Sequence, residues 1–197
     1  MVFNDTTSPL SLLATRRSGK PRDMIAPSPS PAQMDAILAA ALRTPDHGKL
    51  APWRFVVIED DRRDALEALF VDSYRAEKPD AGRLEIEAME NMARQAPALV
   101  VALSSPHMES HIPLWEQQLS SGAALMNLLL AAHAHGFVAS WLTGWPAYSD
   151  AVRDGLGEAH ERIAGFIYIG TPAHALEERP RPEFDTRVSR WDGRAKG

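Results

Sequence analysis

The clearest hydrophobic pattern in the chain is that of an amphipathic helix that follows a proline-rich stretch. Apolar side chains recur there at helical spacing and share one face: Met34, Ile37, Leu38, Ala41 and Leu42. Ser30 and Gln33 have the spacing of a capping box, and Pro31 fits the first turn. The pattern therefore predicts a helix that begins after Ser30 and is stopped by Pro45.

Other stretches also have helical periodicity. A first helix starts around residues 7–9, ends near residues 18–19 and carries Leu10, Leu13, Ala14 and Arg17. A helix capped by Asp60 or Asp61 carries Leu66, Leu69, Phe70 and Tyr74, and a helix over about 80–95 buries Leu84, Ala88, Met89 and Met92. A short helix follows Ser149. The longest helix spans about 114–135 and stops at Gly136. It is apolar nearly all round over 123–132, which predicts a central helix buried by the core and by a partner subunit.

Short segments rich in apolar and β-branched residues predict strands at 54–59, 98–103, 137–142 and 163–169. Residues 20–31 hold four prolines and predict an extended arm across a surface. From Thr171 onward the chain is rich in Pro, Arg and Glu and lacks periodicity, which is typical of a wrapping or partly disordered tail. Helices thus alternate irregularly with four or five strands, which predicts an α+β layered domain. We expect one domain over 1–197, with a core at about 7–172 and a C-terminal tail at 173–197.

Composition narrows the function classes. The 197 residues carry a formal net charge of −5, which argues against a general nucleic-acid binder. The chain has no cysteine, so disulfides, thiolate metal sites and cysteine nucleophiles are excluded, and any redox chemistry needs a bound cofactor. No signal-peptide pattern and no apolar run of membrane-spanning length is present, which predicts a cytoplasmic protein without a membrane partner. Neither GxGxxG nor GxxxxGK[ST] occurs, so a Rossmann or P-loop nucleotide site has no support.

Three consecutive residues, Arg16, Arg17 and Ser18, are candidates for binding a phosphate. Two guanidinium groups and a hydroxyl that converge at a helix end can form charge-assisted, bidentate hydrogen bonds to such an anion. The alternative is that the two cations only complement the dipole at the C-terminus of the first helix.

A second candidate is the polar loop at residues 43–49, between the proline-stopped helix and the strand at 54–59. Arg43 and Lys49 could bind an anion, and His47 could donate to a carbonyl or a phosphate. The alternative is an ordinary connection in which Asp46 and His47 form local turn bonds.

The histidine pairs and one strand end complete the candidates. His107 with His111 is bracketed by prolines, and His133 with His135 has the wrong spacing to share a helix face, so we expect no metal site. Trp141, Leu142 and Thr143 end a strand before Gly144 and could offer backbone N–H groups to a ring edge. Core packing of the tryptophan is the alternative there.

The order and the amino-acid sequences of these segments resemble those of the nitroreductase family. The resemblance runs from LLATRRSGK through LRTPDHGKLAPWRFVVIE, WEQQLSSGAALMNLLLAAHAHGF and SWLTG to IAGFIYIGTP, and so covers residues 10–172. It looks closest to the short YdjA-type subgroup. The most specific piece is the loop that begins at Thr44 and leads into the PWxFxVI strand.

This resemblance implies a three-layer fold, with a central mixed or antiparallel sheet flanked by helices, in an intertwined homodimer that binds two non-covalent FMN molecules at its interface. It implies that Arg16, Arg17 and Ser18 contact FMN, chiefly at the phosphate, and that Arg43 and His47 reach the same FMN from the partner chain. Trp141, Leu142 and Thr143 would lie along the flavin through backbone contacts. The sequence departs from its relatives at Leu142, where an arginine often stands.

The resemblance further implies an FMN-dependent oxidoreductase in which NAD(P)H is a transient hydride donor. A nitroaromatic, a quinone or a similar small acceptor would then use the same site, which implies ping-pong kinetics. Arg17 and Arg43 are candidates for stabilising the negative charge of the reduced cofactor, and no side chain is expected to act as acid, base or nucleophile. Alternatives are a flavin-dependent dehydrogenase or flavin-fragmenting enzyme, an FMN-binding protein without turnover, and a ligand-free helical dimer.

Overall fold

A computed structural model describes residues 2–193 and shows helices on both faces of one sheet. The helices are α1 (Pro9–Thr15), α2 (Pro31–Ala41), α3 (Arg63–Glu77), α4 (Arg83–Arg94), α5 (Leu114–Ala134), α6 (Asp150–Leu156) and α7 (Phe184–Arg187). The strands are β1 (Met24–Ile25), β2 (Trp53–Ile58), β3 (Ala98–Ser104), β4 (Val138–Leu142) and β5 (Arg162–Pro172). Short 3₁₀ turns lie at Pro21–Asp23, His47–Lys49, Asp60–Arg62 and Trp145–Ala147.

The longest strand, β5, organises the sheet. It pairs with β3 and with β4, β3 pairs in turn with β2, and the two-residue β1 pairs with the end of β5. Every one of these pairings is antiparallel. A register shift after Ala102 lets β3 follow β5 past Gly165.

Successive residues of β3 point to two different cores, so the protein has three layers. Leu99, Val101 and Leu103 pack in the core formed with α3, α4 and α6. Ala98, Val100 and Ala102 pack in a second core with α2 and α5. Since both faces are covered, the whole strand is buried, and its sequence is apolar without alternation. The α+β, three-layer prediction is confirmed.

Two helix ends form as their sequences predict. The Ser30 hydroxyl accepts from the Gln33 amide, and the Gln33 side chain accepts from the Ser30 amide, which completes the capping box of α2. Gly136 follows α5 with a φ of +86°, the left-handed conformation that ends many helices.

Three local predictions were wrong. The first helix ends at Thr15, before the arginines, and two of its periodic side chains, Leu10 and Leu13, are exposed. A 3₁₀ turn over Asp60–Arg62 precedes α3, so neither aspartate caps that helix. The buried face of α4 is rotated from the predicted one.

The α4 face that packs on the core consists of Ile86, Met89 and Ala93, and Leu84 is exposed instead.

The proline-rich arm also contains a strand, β1, because its backbone pairs with the end of β5. Among residues 2–193, no helix is long and apolar enough to cross a membrane.

Candidate functional site

The Arg16–Ser18 triplet lies on extended backbone beyond the end of α1. Arg16 has φ −54° and ψ 127°, which is not helical. Asn4 fixes this segment, because its side-chain amide donates to the Arg17 carbonyl over 3.0 Å and its side-chain oxygen accepts from the Arg17 amide over 2.8 Å. The arginines therefore do not complement the dipole of α1, and that alternative loses its geometric basis.

The side chains of the triplet converge. Arg16 Nη1 donates to Ser18 Oγ over 3.2 Å, and Arg17 Nη1 donates to the Ser18 carbonyl over 3.4 Å. Burial lowers the pKa of Arg16, and the neighbouring cations Arg181 and Arg17 lower it further. Arg17 Nε is buried and has no hydrogen-bond partner among the described residues. A cluster of partly desolvated cations with a spare donor fits an anionic group such as a phosphate.

A cleft of about 230 Å³ opens beside the triplet. Its lining includes Arg17, Ser18 and Lys20, the acidic Asp23, and residues 174–177 of the tail. Gly19 forms part of the wall, where a Cβ would come within 2.9 Å of Val138 Cγ2 at the start of β4. Sequence reasoning missed Lys20 and the tail. The lysine lies only two residues after the triplet, whereas no periodicity in the tail signals its position.

The loop at residues 43–49 leaves its three candidate side chains, those of Arg43, His47 and Lys49, exposed at the surface. The Arg43 side chain forms no hydrogen bond or ion pair with any residue in 2–193, and it is exposed. His47 Nδ1 lies 2.8 Å from Glu116 Oε2, in the first turn of α5, and the imidazole is 63% exposed. Asp46 does form the predicted local bonds, since its carboxylate accepts from the Leu50 and Ala51 amides.

Helix α5 holds this loop in place. Ser120 Oγ donates to the Pro45 carbonyl over 2.8 Å, and Asn127 Nδ2 donates to Thr44 Oγ1 over 2.7 Å. Thr44 is buried and donates in turn to the Ala41 carbonyl at the end of α2. The loop is therefore a rigid platform for exposed polar side chains, as binding loops often are.

The third candidate segment is the end of β4. Trp141 Nε1 donates to the Ala164 carbonyl over 2.9 Å, and its indole lies against Gly165, where a Cβ would be only 2.1 Å from Nε1. Trp141 and Leu142 are still 38% and 36% exposed. Core packing therefore does not account for Trp141. Gly144 then turns the chain with φ 82° and ψ −179°, a conformation essentially restricted to glycine.

The candidate groups lie near opposite ends of α5. The triplet is close to His133 and to Val138, just beyond the helix, since Arg16 lowers the His133 pKa and Gly19 contacts Val138. His47 contacts Glu116, seventeen residues earlier, which is about 25 Å along a helix axis. One chain therefore does not bring Arg16 and His47 together.

The two histidine pairs lie at the end of α5 and in the loop that precedes it. Burial lowers the pKa of His133 to about 4, so the ring is neutral, and its Nδ1–H donates to the Phe137 carbonyl. His107 lies in the loop before α5, where its backbone bonds to Gln117. In the part of the chain that the structure describes, no three His, Asp or Glu residues are grouped as metal ligands.

The fold is a three-layer α+β architecture, and the Arg16–Ser18 triplet lies beside a cleft rather than in a glycine-rich phosphate loop. The chain belongs to the nitroreductase family, whose family model matches residues 13–171. It is 37% identical, over 175 residues, to a Haemophilus influenzae protein provisionally named an NAD(P)H nitroreductase; the match covers 87% of this chain and 92% of that protein.

It is also 34% identical to the Escherichia coli protein YdjA, again provisionally named an NAD(P)H nitroreductase, across 83% of this chain and 87% of that one. The resemblance to the family and to its YdjA-type members is thereby confirmed. Among solved structures, it is similar in fold to a provisionally named nitroreductase from Desulfovibrio desulfuricans in complex with FMN. The TM-score is 0.71 at 24% identity, covering 93% of this chain and 97% of that one.

Proposed function

We propose that this chain is an FMN-dependent NAD(P)H oxidoreductase that works as a homodimer and reduces small acceptors such as nitroaromatics or quinones. Membership of the nitroreductase family, relatives named for NAD(P)H nitroreduction and a structural neighbour with FMN support this proposal. When bound, FMN supplies the hydride chemistry between NAD(P)H and the acceptor.

The observation that carries the proposal is the buried Nε of Arg17, which has no hydrogen-bond partner within residues 2–193 and belongs to a cluster of cations beside an open cleft. A buried donor without an acceptor costs free energy, and an anion that accepts from it recovers that cost. Ser18 offers a hydroxyl at the same place. We assign the FMN phosphate to Arg16, Arg17 and Ser18.

A two-chain site is supported by the distance along α5. Arg43 and His47 are too far from the triplet of their own chain, so we assign them to the FMN held by the partner's triplet. Arg43 is exposed and free of ion pairs within residues 2–193, which suits it to stabilise negative charge on the ring. The backbone of Trp141–Thr143 would line the flavin ring.

Exposed apolar side chains support the dimer. Leu10 and Leu13 on α1, Leu42 after α2, and Trp115 and Leu119 on α5 are each more than half exposed in the single chain. Large exposed apolar surface is typical of a protein–protein interface.

The single domain with a tail beyond residue 172, and the cytoplasmic location, remain predictions from the sequence.

The test is an absorption spectrum of the purified protein, followed by heat release and identification of the pigment. We expect a flavin spectrum with FMN as the pigment, bleaching by NAD(P)H without oxygen, and a dimeric mass in light scattering. Colour that persists under NAD(P)H would indicate a binder without turnover. A colourless protein that does not take up FMN would refute the proposed function.

A further inference from the structure

The C-terminal tail returns to the basic triplet. After β5, the Ala173 amide donates to the Asp23 carbonyl over 2.8 Å, and Leu176 packs against the larger core. Further along, Arg181 Nη2 donates to the Arg16 carbonyl over 3.3 Å. These contacts hold the tail beside the cleft that we assign to the FMN phosphate, and residues 174–177 form part of its lining.

The tail brings a carboxylate to this cationic site. Glu178 Oε1 lies 3.9 Å from Arg17 Nε, the donor that has no hydrogen-bond partner, and it accepts from Arg181 Nη2 over 3.2 Å. The Arg179 amide and the cations Arg181 and Arg17 lower the pKa of Glu178, so the group is a carboxylate at neutral pH. Its side chain is half exposed, whereas that of Arg17 is 19% exposed.

We infer that Glu178 is an internal anion that competes with the cofactor phosphate for Arg17 and so sets the affinity for FMN. The inference rests on the proposed function. A phosphomonoester carries nearly two negative charges at pH 7, so a carboxylate at the same guanidinium repels it. The tail must withdraw Glu178, or leave it paired with Arg181 alone, before the phosphate is bound.

The exposure of the Glu178 side chain determines how large a change in FMN affinity we expect. Half-exposed ion pairs contribute at most about 1 kcal/mol, which corresponds to roughly a fivefold change in an equilibrium constant. Glu178→Gln keeps the size of the side chain and removes its charge. We therefore expect this variant to bind FMN about three- to fivefold more tightly than the wild type.

The experiment measures binding of FMN and of riboflavin to apoprotein by titration calorimetry. Riboflavin lacks the phosphate, so its affinity should be the same in the wild type and in Glu178→Gln. Glu183→Gln, which makes the same change in net charge on an exposed residue further along the tail, should leave the affinity for FMN unchanged. The gain in Glu178→Gln should shrink at high salt, where exposed charges are screened.

The outcomes separate the two proposals. If the wild type binds FMN as tightly as Glu178→Gln does, or more tightly, the proposed competition is refuted. The proposed function is not affected by that result. An equal gain for riboflavin also overturns it, because the effect would then not act through the phosphate. Wild-type apoprotein that binds neither flavin overturns the proposed function and this inference with it.

Discussion

Arg54 and Glu161 are joined by two parallel hydrogen bonds, from Nε to Oε1 over 3.0 Å and from Nη2 to Oε2 over 2.7 Å. The carboxylate is 1% exposed and also accepts from the Glu158 amide over 2.8 Å. Burial raises the pKa of Glu161, but the bonds from Arg54 and Glu158 outweigh burial and lower it to about 2. The pair ties the edge strand β2 to the turn that precedes β5.

This pair predicts a defined pH dependence of stability. The pKa of Glu161 is lower in the folded state than the roughly 4.3 of an unfolded glutamate. The stabilisation is therefore complete above about pH 5, and it is lost as the pH falls toward 2. We expect Glu161→Gln to lower the free energy of unfolding by about 2–3 kcal/mol at pH 7, and the gap to the wild type to close on acidification.

Urea unfolding followed by circular dichroism between pH 7 and pH 3 measures this gap. Glu87→Gln is the matched control, because it removes an exposed helical pair with Arg83, and surface pairs contribute little. A gap between Glu161→Gln and the wild type that stays constant with pH would contradict the assignment.

Loss of Arg16 should weaken binding of FMN. Arg16→Ala removes a charged donor that we assign to the phosphate, so we expect a loss of about 1.5–3 kcal/mol, measured by fluorescence titration of apoprotein. Arg22→Ala removes an equally charged side chain that is 76% exposed and should have no effect. An unchanged affinity for FMN in Arg16→Ala would refute the phosphate assignment.

Mixed dimers test whether two chains share each flavin site. We expect a dimer of one Arg16→Ala chain and one His47→Ala chain to keep one intact site, because both substitutions fall in the other site. Titration should then find half of the sites with wild-type affinity for FMN. If each chain formed its own site, both sites would be impaired, and no tight binding would be left.

The contact between Trp141 and Gly165 predicts a rescue. Gly165→Ala places a methyl group at the indole Nε1, which should break the bond to Ala164 and destabilise the protein by about 1–3 kcal/mol. Adding Trp141→Ala removes the obstacle, so the double variant should be less destabilised than the sum of the two single variants. Thermal unfolding of the four proteins measures the coupling, and strict additivity would show that the two residues do not touch.

The sequence patterns correctly predicted features that depend on contacts within a few residues. The capping box at Ser30 and the glycine after α5 act within a few residues, and both form as predicted. The strands were recognisable because the apolar segments of β3 and β5 are short and flanked by turn residues. The face of α4 could not be assigned correctly, because its packing depends on which side of the helix meets α3.

The sequence named candidate residues for the site but gave no information on their geometry. The triplet was identified by residue type, yet its extended backbone depends on Asn4, a contact across thirteen residues that no spacing rule reveals. The separation of Arg16 from His47 depends on the length of α5 and on the docking of the loop at Ser120 and Asn127. The approach of Glu178 depends on the path of a tail that has no pattern. The roles of the site residues in binding FMN stay predictions.

The placement of Arg16 and His47 near opposite ends of α5 links two equilibria. In the proposed dimer, each flavin contacts both chains. Binding of FMN and association of the subunits must therefore favour each other, and by the same free energy. Dilution of the protein should therefore cause FMN to dissociate, and added FMN should keep the subunits associated in dilute solution. In such a dimer, FMN would stabilise the quaternary structure as well as carry electrons.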